Sequence, residues 1–263
     1  MDGIAFPNIS PIAFDIFGIA VRWYSLAYLT GFLLGWYYIL YLIKKLELTS
    51  PTKQQIDDFL AIAVLGVILG GRLGYVFFYQ PSYYFSNPIE IFQVWQGGMA
   101  FHGGTLGVIV AMFAYAHFKK FSFWRLSDLI AATVPIGLFF GRLANFANGE
   151  LWGRKTDLSW GIRFPEGGYV PRHPSQLYEA FLEGLVLFII LHFALKRFHH
   201  IKGLTACVFL IGYGSFRFIV EYFREPDPAY GLIMGLFSMG QMLSLPMIIV
   251  GMAVAIYRVK KSS

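Results

Sequence analysis

Long apolar runs alternate with short polar connections along almost the whole chain. A helix needs ~20 mainly apolar residues to cross a bilayer. Seven runs meet that length and predict transmembrane helices at about residues 21–43, 59–80, 99–118, 127–147, 176–195, 204–223 and 238–257. Residues 12–20 are apolar but too short to cross, so we expect them to lie along the membrane interface.

The composition supports this prediction. Of 263 residues, 57% are hydrophobic and only 14% are charged, whereas soluble proteins carry about 25% charged residues. We therefore predict an all-α integral membrane protein that forms one polytopic domain over residues 1–263. The first ten residues lack the basic stretch of a signal peptide, so we expect the first apolar run to be retained.

The positions of the basic residues predict the orientation. Twelve of the 21 Lys and Arg residues follow the first, third, fifth and seventh runs, three after each, and the connection between the second and third runs has none. By the positive-inside rule, the N-terminus lies outside and the C-terminus in the cytoplasm. The net charge of +6 then reflects topology and not a nucleic-acid surface. The longest outer connection, about 148–175, is predicted to form a small arm or hairpin.

Arg72, Arg142 and Arg217 lie well inside predicted spans. With this orientation all three fall in the outer half of the bilayer, at ~1.5 Å per residue. Charged residues at such depth are costly and usually functional. For Arg72, in GGRLGY, we favour a structural partner such as a helix end or a tyrosine.

The spacing of the polar residues predicts an anion site. Arg217, Glu221 and Arg224 share one helix face at i, i+4 and i+7, and Arg142 shares another with Asn145. Guanidinium groups suit phosphate, because they offer a fixed fork of donors. Glu221 could orient an arginine or act as a base, and a purely structural Arg217–Glu221 ion pair is the alternative.

The stretch FHGGTLG places His102 before Gly103 and Gly104 at the start of the third run. Histidine can take a proton near neutral pH, and a hydrogen-bonded interfacial histidine is the alternative. The two glycines would let a lipid headgroup or a neighbouring helix approach the backbone.

The stretch HPSQLYE opens the fifth run. Pro174 suits a first helical turn, with His173 as a possible cap. Ser175 and Gln176 either reach the same cavity or serve only to cap the helix.

Motifs for other chemistries are missing from the sequence. There is no P-loop, GxSxG, HExxH or GxGxxG, and the single cysteine, Cys207, lies in an apolar run. ATP coupling, serine hydrolysis and zinc proteolysis therefore lose support, and we expect no metal site.

Seven ordered blocks resemble the bacterial prolipoprotein diacylglyceryl transferase family: RWYSLAYL, GGRLGY, GGMAFHGGTLG, GRLANFANGELWG, RHPSQLYE, GYGSFRFIVEYFREPD and SMGQMLSLPM. The resemblance covers nearly the whole chain, although the outer arm is shorter here than in some members. It implies a seven-span enzyme of the bacterial inner membrane with its active site in the periplasmic half and a small periplasmic arm between helices four and five.

The resemblance also implies the reaction. The diacylglyceryl group of phosphatidylglycerol would pass to the lipobox cysteine of a preprolipoprotein signal peptide, releasing glycerol-1-phosphate. The resemblance implies that no metal and no soluble cofactor is needed. The implied catalytic residues are Tyr24, His102, Arg142, Arg217 and Glu221. The implied phosphatidylglycerol-binding residues are Gly103, Gly104, Arg142, Asn145, Asn148, Glu150, Gly153, Arg217 and Arg224.

Two other classes stay open at this point. A transporter of an organic anion or phosphate ester would also bury arginines, but it needs polar lining on both sides, and the inner halves of the spans are nearly uncharged. A scaffold would bind the lipid without turnover.

Overall fold

The structure, a computed structural model, describes residues 3–7, 9–226, 231–233 and 235–262. Within that part, the helices are α1 Trp23–Lys45, α2 Lys53–Phe78, α3 Pro81–Ser86, α4 Phe101–Phe118, α5 Phe123–Ala147, α6 Ser175–Glu179, α7 Leu187–Phe198, α8 Leu204–Val220 and α9 Met239–Ser262. A π-helical turn, Ala180–Val186, joins α6 and α7 into one helix, Ser175–Phe198.

Six of these helices are long and apolar enough to cross a membrane, and α8, with 17 residues, is shorter. The chain is therefore a multi-pass membrane protein. A helix lies at each of the seven predicted runs, while seven crossings and their orientation stay predictions.

Five helix ends differ from prediction by three to six residues. Helix α5 begins at Phe123, α7 ends at Phe198 and α9 ends at Ser262, and the other two differences have a structural cause. Helix α2 begins at Lys53 instead of about 59, because Thr52 and Gln55 form a capping box ahead of a polar first turn. Gln55 N donates to Thr52 Oγ1 at 3.2 Å, and Thr52 N donates to Gln55 Oε1 at 2.8 Å. Helix α8 ends at Val220, before the predicted 223, because the following residues pair with a distant loop.

The chain forms two compact units, one of residues Ile43–Ser127 and one of the residues up to Leu42 and from Asp128 onward. In the smaller unit, α2 and α4 pack through glycines. A Cβ on Gly70 would lie 2.7 Å from Gly107 Cα, and a Cβ on Gly74 would lie 2.7 Å from Gly103 Cα. Small residues permit this close backbone approach between membrane helices. A single membrane domain stays a prediction.

Arg72 organises the connection that follows α2. Its side chain is buried and donates from Nε to the Ile91 carbonyl at 2.8 Å and from Nη1 to the Gly97 carbonyl at 2.6 Å. It also donates to the Glu90 carbonyl, and its guanidinium lies 4.9 Å from the centre of the Tyr84 ring. The structural interpretation of Arg72 is confirmed.

Short strands are confined to the larger unit. They are β1 Ile4–Ala5, β2 Ile12–Ile16, β3 Ile19–Arg22, β4 Ile162–Arg163, β5 Pro171–Arg172, β6 Leu232–Ile233 and β7 Phe237–Ser238. Strand β4 pairs with β1 in parallel and with β5 in antiparallel fashion, so the predicted hairpin in the 148–175 connection is present. Residues 12–20 lie in the β2–β3 hairpin. Their place at the interface stays a prediction.

Close packing fixes α5 against the helix that contains the π turn. A Cβ on Gly184 would lie 2.7 Å from Phe139 Cβ and 2.9 Å from Phe139 Cα. Phe139 precedes Arg142 by about one turn. The missing side chain at Gly184 therefore lets the Arg142 end of α5 come close to the π turn.

Candidate functional site

Three arginines and three glutamates meet where α5 and α8 end and where the π turn begins. All six belong to the larger unit, and we call them the arginine–glutamate cluster: Arg142, Glu179, Glu183, Arg217, Glu221 and Arg224.

Glu179 is the hub of the cluster. Its carboxylate lies 2.6 Å from Arg142 Nε, 3.2 Å from Arg217 Nη1 and 2.8 Å from Arg224 Nη1. The side chain is fully buried. A buried carboxylate needs compensating charge, and here three cations from three places in the chain supply it.

Glu221 closes the cluster from the other side. It receives a hydrogen bond from Arg217 Nη2 and lies 3.9 Å from Arg224 Nε. Ser238 Oγ donates to Glu221 Oε2 at 2.6 Å. The Arg217–Glu221 pair expected from the i, i+4 spacing is present, but it is one part of a larger network.

Glu183 is placed differently from the other two carboxylates. It is fully buried, and its oxygens lie 4.0 Å from Arg142 Nη2 and 3.9 Å from Arg217 Nη1. Neither oxygen has a hydrogen-bond partner. The carboxyl group thus faces two guanidinium groups without bonding to either.

The cluster is reached through its arginines. The side chains of Arg142, Arg217 and Arg224 are 16–18% exposed, whereas those of Glu179 and Glu183 are at 0%. The three arginine side chains are therefore the partly exposed members of the cluster, and Glu179 and Glu183 are its fully buried members. An anionic group that enters would meet cations first.

A second set of polar contacts extends from Arg142. Arg142 Nη1 donates to Asn145 Oδ1 at 3.4 Å, and Asn145 Nδ2 donates to Glu150 Oε1 at 2.7 Å. Asn148 Nδ2 donates to the same oxygen at 3.3 Å. Tyr24 interacts electrostatically with both Arg142 and Glu150. The predicted residues at positions 24, 142, 145, 148 and 150 therefore lie together.

Gly153 attaches the arm to the end of α8. It forms an isolated antiparallel bridge with Arg224, and the next residue, Arg154, donates its backbone N–H to the Phe223 carbonyl at 2.8 Å. A Cβ on Gly153 would collide with the Phe223 carbonyl and lie 2.7 Å from His173 Cβ. The structure thus gives Gly153 a role in positioning Arg224. Its predicted contact with lipid stays a prediction.

His102, Gly103 and Gly104 lie in the smaller unit, in the first turn of α4. His102 is exposed. A Cβ on Gly103 would collide with the Gly70 carbonyl, so the neighbouring helix already occupies the space above this glycine. The roles predicted for these three residues with the lipid headgroup stay predictions.

The stretch HPSQLYE forms hydrogen bonds with the segment that contains Glu150. Ser175 Oγ donates to the Leu151 carbonyl at 3.0 Å, and Gln176 Nε2 donates to the Glu150 carbonyl at 2.5 Å. Pro174 is the N-cap residue and lies just before the first turn, and its side chain makes no cap. Burial lowers the pKa of His173, which keeps its ring neutral near pH 7.

Glu179 and Glu183 are the residues that sequence reasoning missed. A signal was present, because they stand at i, i+4 within the fifth apolar run and so share a face. A buried carboxylate pair is as costly in a span as a buried arginine. Within the described residues, no three His, Cys, Asp or Glu side chains are arranged to hold a metal ion.

Fold and site together define a polytopic membrane protein in which three partly exposed arginines surround one fully buried carboxylate. Residues 11–257 match the family model described as prolipoprotein diacylglyceryl transferase. The chain is 50% identical over 263 residues to the phosphatidylglycerol–prolipoprotein diacylglyceryl transferase of Paramagnetospirillum magneticum, covering 99% of this chain and 97% of the relative. The chain therefore belongs to the prolipoprotein diacylglyceryl transferase family.

Other relatives with the same name are similar at the same level. The protein of Rickettsia felis is 53% identical over 250 residues, covering 94% of this chain and 96% of its own. That of Pseudoalteromonas translucida is 51% identical over 260 residues, covering 99% and 97%.

Proposed function

We propose that this protein transfers the diacylglyceryl group of phosphatidylglycerol to the cysteine thiol of a prolipoprotein. The names of its relatives state this donor and this acceptor. The three partly exposed arginine side chains that meet in the cluster are the observation that carries the proposal. Family membership does not favour the transporter alternative. The proposed location is the bacterial inner membrane, with seven crossings and the cluster in the periplasmic half.

The reaction needs a cationic clamp. A thiolate attacks a glyceryl carbon, the S–C bond forms, and the C–O bond to phosphate breaks, releasing glycerol-1-phosphate. Negative charge grows on the phosphate, so preorganised cations stabilise the transition state. We assign the phosphate to Arg142 and Arg217, because Arg142 Nη2 lies 4.0 Å from the nearest Glu183 oxygen and Arg217 Nη1 makes no hydrogen bond.

The neighbouring residues orient the clamp. Glu179 and Glu221 hold the arginines, and Arg224 adds a third cation. Asn145 and Asn148 link Glu150 to the Arg142 side. His102 either positions the headgroup or takes the thiol proton, and Tyr24 borders the headgroup. No metal and no cofactor is assigned, because the nucleophile comes from the lipobox cysteine of the partner.

A reconstituted assay tests the proposal. The purified protein is mixed in detergent with phosphatidylglycerol and a lipobox peptide containing one cysteine, and the peptide mass is measured. A diacylglyceryl mass gain with release of glycerol phosphate supports transfer, and a peptide with serine in place of the cysteine should gain nothing. Lipid binding by a folded sample without any mass gain would favour a scaffold.

Removal of the clamp is the first variant to measure. Arg142→Ala should reduce transfer by about 10²–10³-fold, as does loss of one donor from an oxyanion hole. Arg163→Ala, in the arm at the β4 strand, is the matched control and should stay near the wild-type rate. Near-full activity of Arg142→Ala would contradict the clamp.

A further inference from the structure

Four carboxylates lie in or beside the cluster, and they differ in how they are bonded. Glu179 lies within 3.2 Å of three guanidinium groups, and Glu221 accepts from Arg217 and from Ser238. Glu150 accepts from two asparagine amides. Each of these three carboxylates therefore has at least one oxygen already engaged by a hydrogen-bond donor.

Glu183 is the exception among the described residues of this site. It is fully buried, and neither of its oxygens receives a hydrogen bond. Its electrostatic neighbours are Glu179 on its own helix, Arg142 on α5, Arg217 and Tyr213 on α8, and Arg224 after α8. Glu183 is therefore the carboxylate of this site whose two oxygens are both left without a hydrogen-bond donor and open to a proton.

The backbone around Glu183 is also unusual. The residue lies within the π-helical turn Ala180–Val186. Such turns are rare and occur frequently at functional sites. A turn with i→i+5 hydrogen bonds shifts the direction of the side chains that follow it. Here the turn contains Glu183, whose oxygens lie 3.9–4.0 Å from Arg142 and Arg217.

The charge balance of the reaction selects a proton acceptor inside the cluster. Three arginines against three ionised glutamates make the resting cluster neutral. A bound phosphodiester brings one negative charge, and the phosphate monoester that leaves carries two. If the thiol proton stays in the cluster, the total charge does not change during the step. A buried site avoids the large cost of an added uncompensated charge.

We infer that Glu183 accepts the proton of the substrate thiol. The S–H bond breaks, the proton binds a Glu183 oxygen, and the S–C bond forms as the C–O bond to phosphate breaks. The leaving phosphate takes both electrons of that C–O bond, and it later receives the proton from Glu183. The inference rests on the proposed transfer reaction and deepens it.

The decisive variant is Glu183→Gln, which keeps the shape of the side chain and removes its ability to accept a proton. With a cysteine peptide, its rate should fall about 10²-fold or more, the usual contribution of general-base catalysis. The KM for phosphatidylglycerol should not rise, because the phosphate loses no cation.

A selenocysteine peptide separates proton transfer from structure. The selenol is already ionised at neutral pH, so its attack needs no proton acceptor. Glu183→Gln should therefore regain most of the wild-type rate with the selenocysteine peptide, while Arg142→Ala should stay slow with both peptides. Equal slowing of Glu183→Gln on both peptides, or no slowing on either, would overturn the inference.

Two further measurements keep the outcomes distinct. If Glu183→Gln does not accumulate, Glu183→Asp takes its place, and it should be slow with cysteine but near wild type with selenocysteine. Equal slowing there would also overturn the role of Glu183. Failure of the wild-type protein to modify either peptide would overturn the proposed transferase function instead.

Discussion

At the residue scale, the cluster depends on one carboxylate with three cationic partners. Glu179 is fully buried, and Arg142, Arg217 and Arg224 each approach it within 3.2 Å. Removing one partner of a buried pair leaves uncompensated charge, which costs more than the pair itself contributes. The position of all three guanidinium groups therefore depends on Glu179.

We expect Glu179→Gln to lower the free energy of unfolding by about 3 kcal/mol and to reduce transfer at the same time. The matched control is Glu225→Gln, which breaks a 3.0 Å pair between Arg172 and a half-exposed carboxylate. That change should cost less than about 1 kcal/mol. Thermal unfolding in detergent measures both variants. Similar losses of unfolding free energy in the two variants would show that the burial of Glu179 does not increase its contribution to stability.

At the element scale, glycine decides how closely the helices approach. Gly70 and Gly107 leave no space between α2 and α4 for a side chain, and Gly184 leaves none between the π turn and Phe139. Membrane helices gain little from hydrophobic exclusion, so close van der Waals packing holds them together. The glycines in this chain are thus as important to the helix pairs as the apolar residues.

We expect Gly107→Val to destabilise the smaller unit by about 1–3 kcal/mol, because the added atoms collide with the backbone of α2. Gly141→Ala is the control, since no atom lies within 4 Å of the Cβ it would add. Alanine in a helix interior should raise stability by about 0.5–1 kcal/mol. If the melting curves of the two variants coincided, the role of Gly107 in the close packing of α2 and α4 would be contradicted.

The helices were the predictable part of the structure, because each needs only a local run of apolar residues. The beginning of α2 was missed because its first turns are polar and its signal is the capping pair Thr52 and Gln55. The end of α8 was missed because the Gly153–Arg224 bridge joins residues far apart in sequence.

The cations of the candidate site were predictable from the sequence, as were Glu150 and Glu221, but Glu179 and Glu183 were not. Arg142 and Arg217 stand out because arginine is rare in an apolar run. Glu179 is the last residue of HPSQLYE, a stretch that helix capping can explain without a buried charge. One carboxylate contacts Arg142, Arg217 and Arg224 because separate helices pack together. The spacing of residues within one helix does not predict such packing.

At the scale of the whole molecule, the distribution of basic residues predicts the orientation of the chain in the membrane. The basic residues at the ends of α1, α7 and α9 favour a cytoplasmic location for those ends. The connection between α2 and α4 carries no Lys or Arg, which fits the outer side.

Labelling of introduced cysteines should reveal this orientation. In a Cys207→Ser background, Gln96→Cys should react with an impermeant maleimide in intact spheroplasts, since Gln96 is exposed in the outer connection. Lys202→Cys, also exposed, should react only after permeabilisation. The opposite pattern would invert the topology, and labelling of both in intact spheroplasts would contradict an odd number of crossings between the two sites.

The balance of charge within the cluster has a consequence for how the chain enters the membrane during synthesis. Arg142 emerges from the ribosome first, the two glutamates at 179 and 183 follow, and Arg217 comes after them. A lone charge at the centre of an inserting helix costs ~2.5–3.5 kcal/mol. We therefore expect α5 and the helix Ser175–Phe198 to be retained beside the insertion machinery until α8 arrives, so that Arg142 and Arg217 enter the lipid together with Glu179 and Glu183.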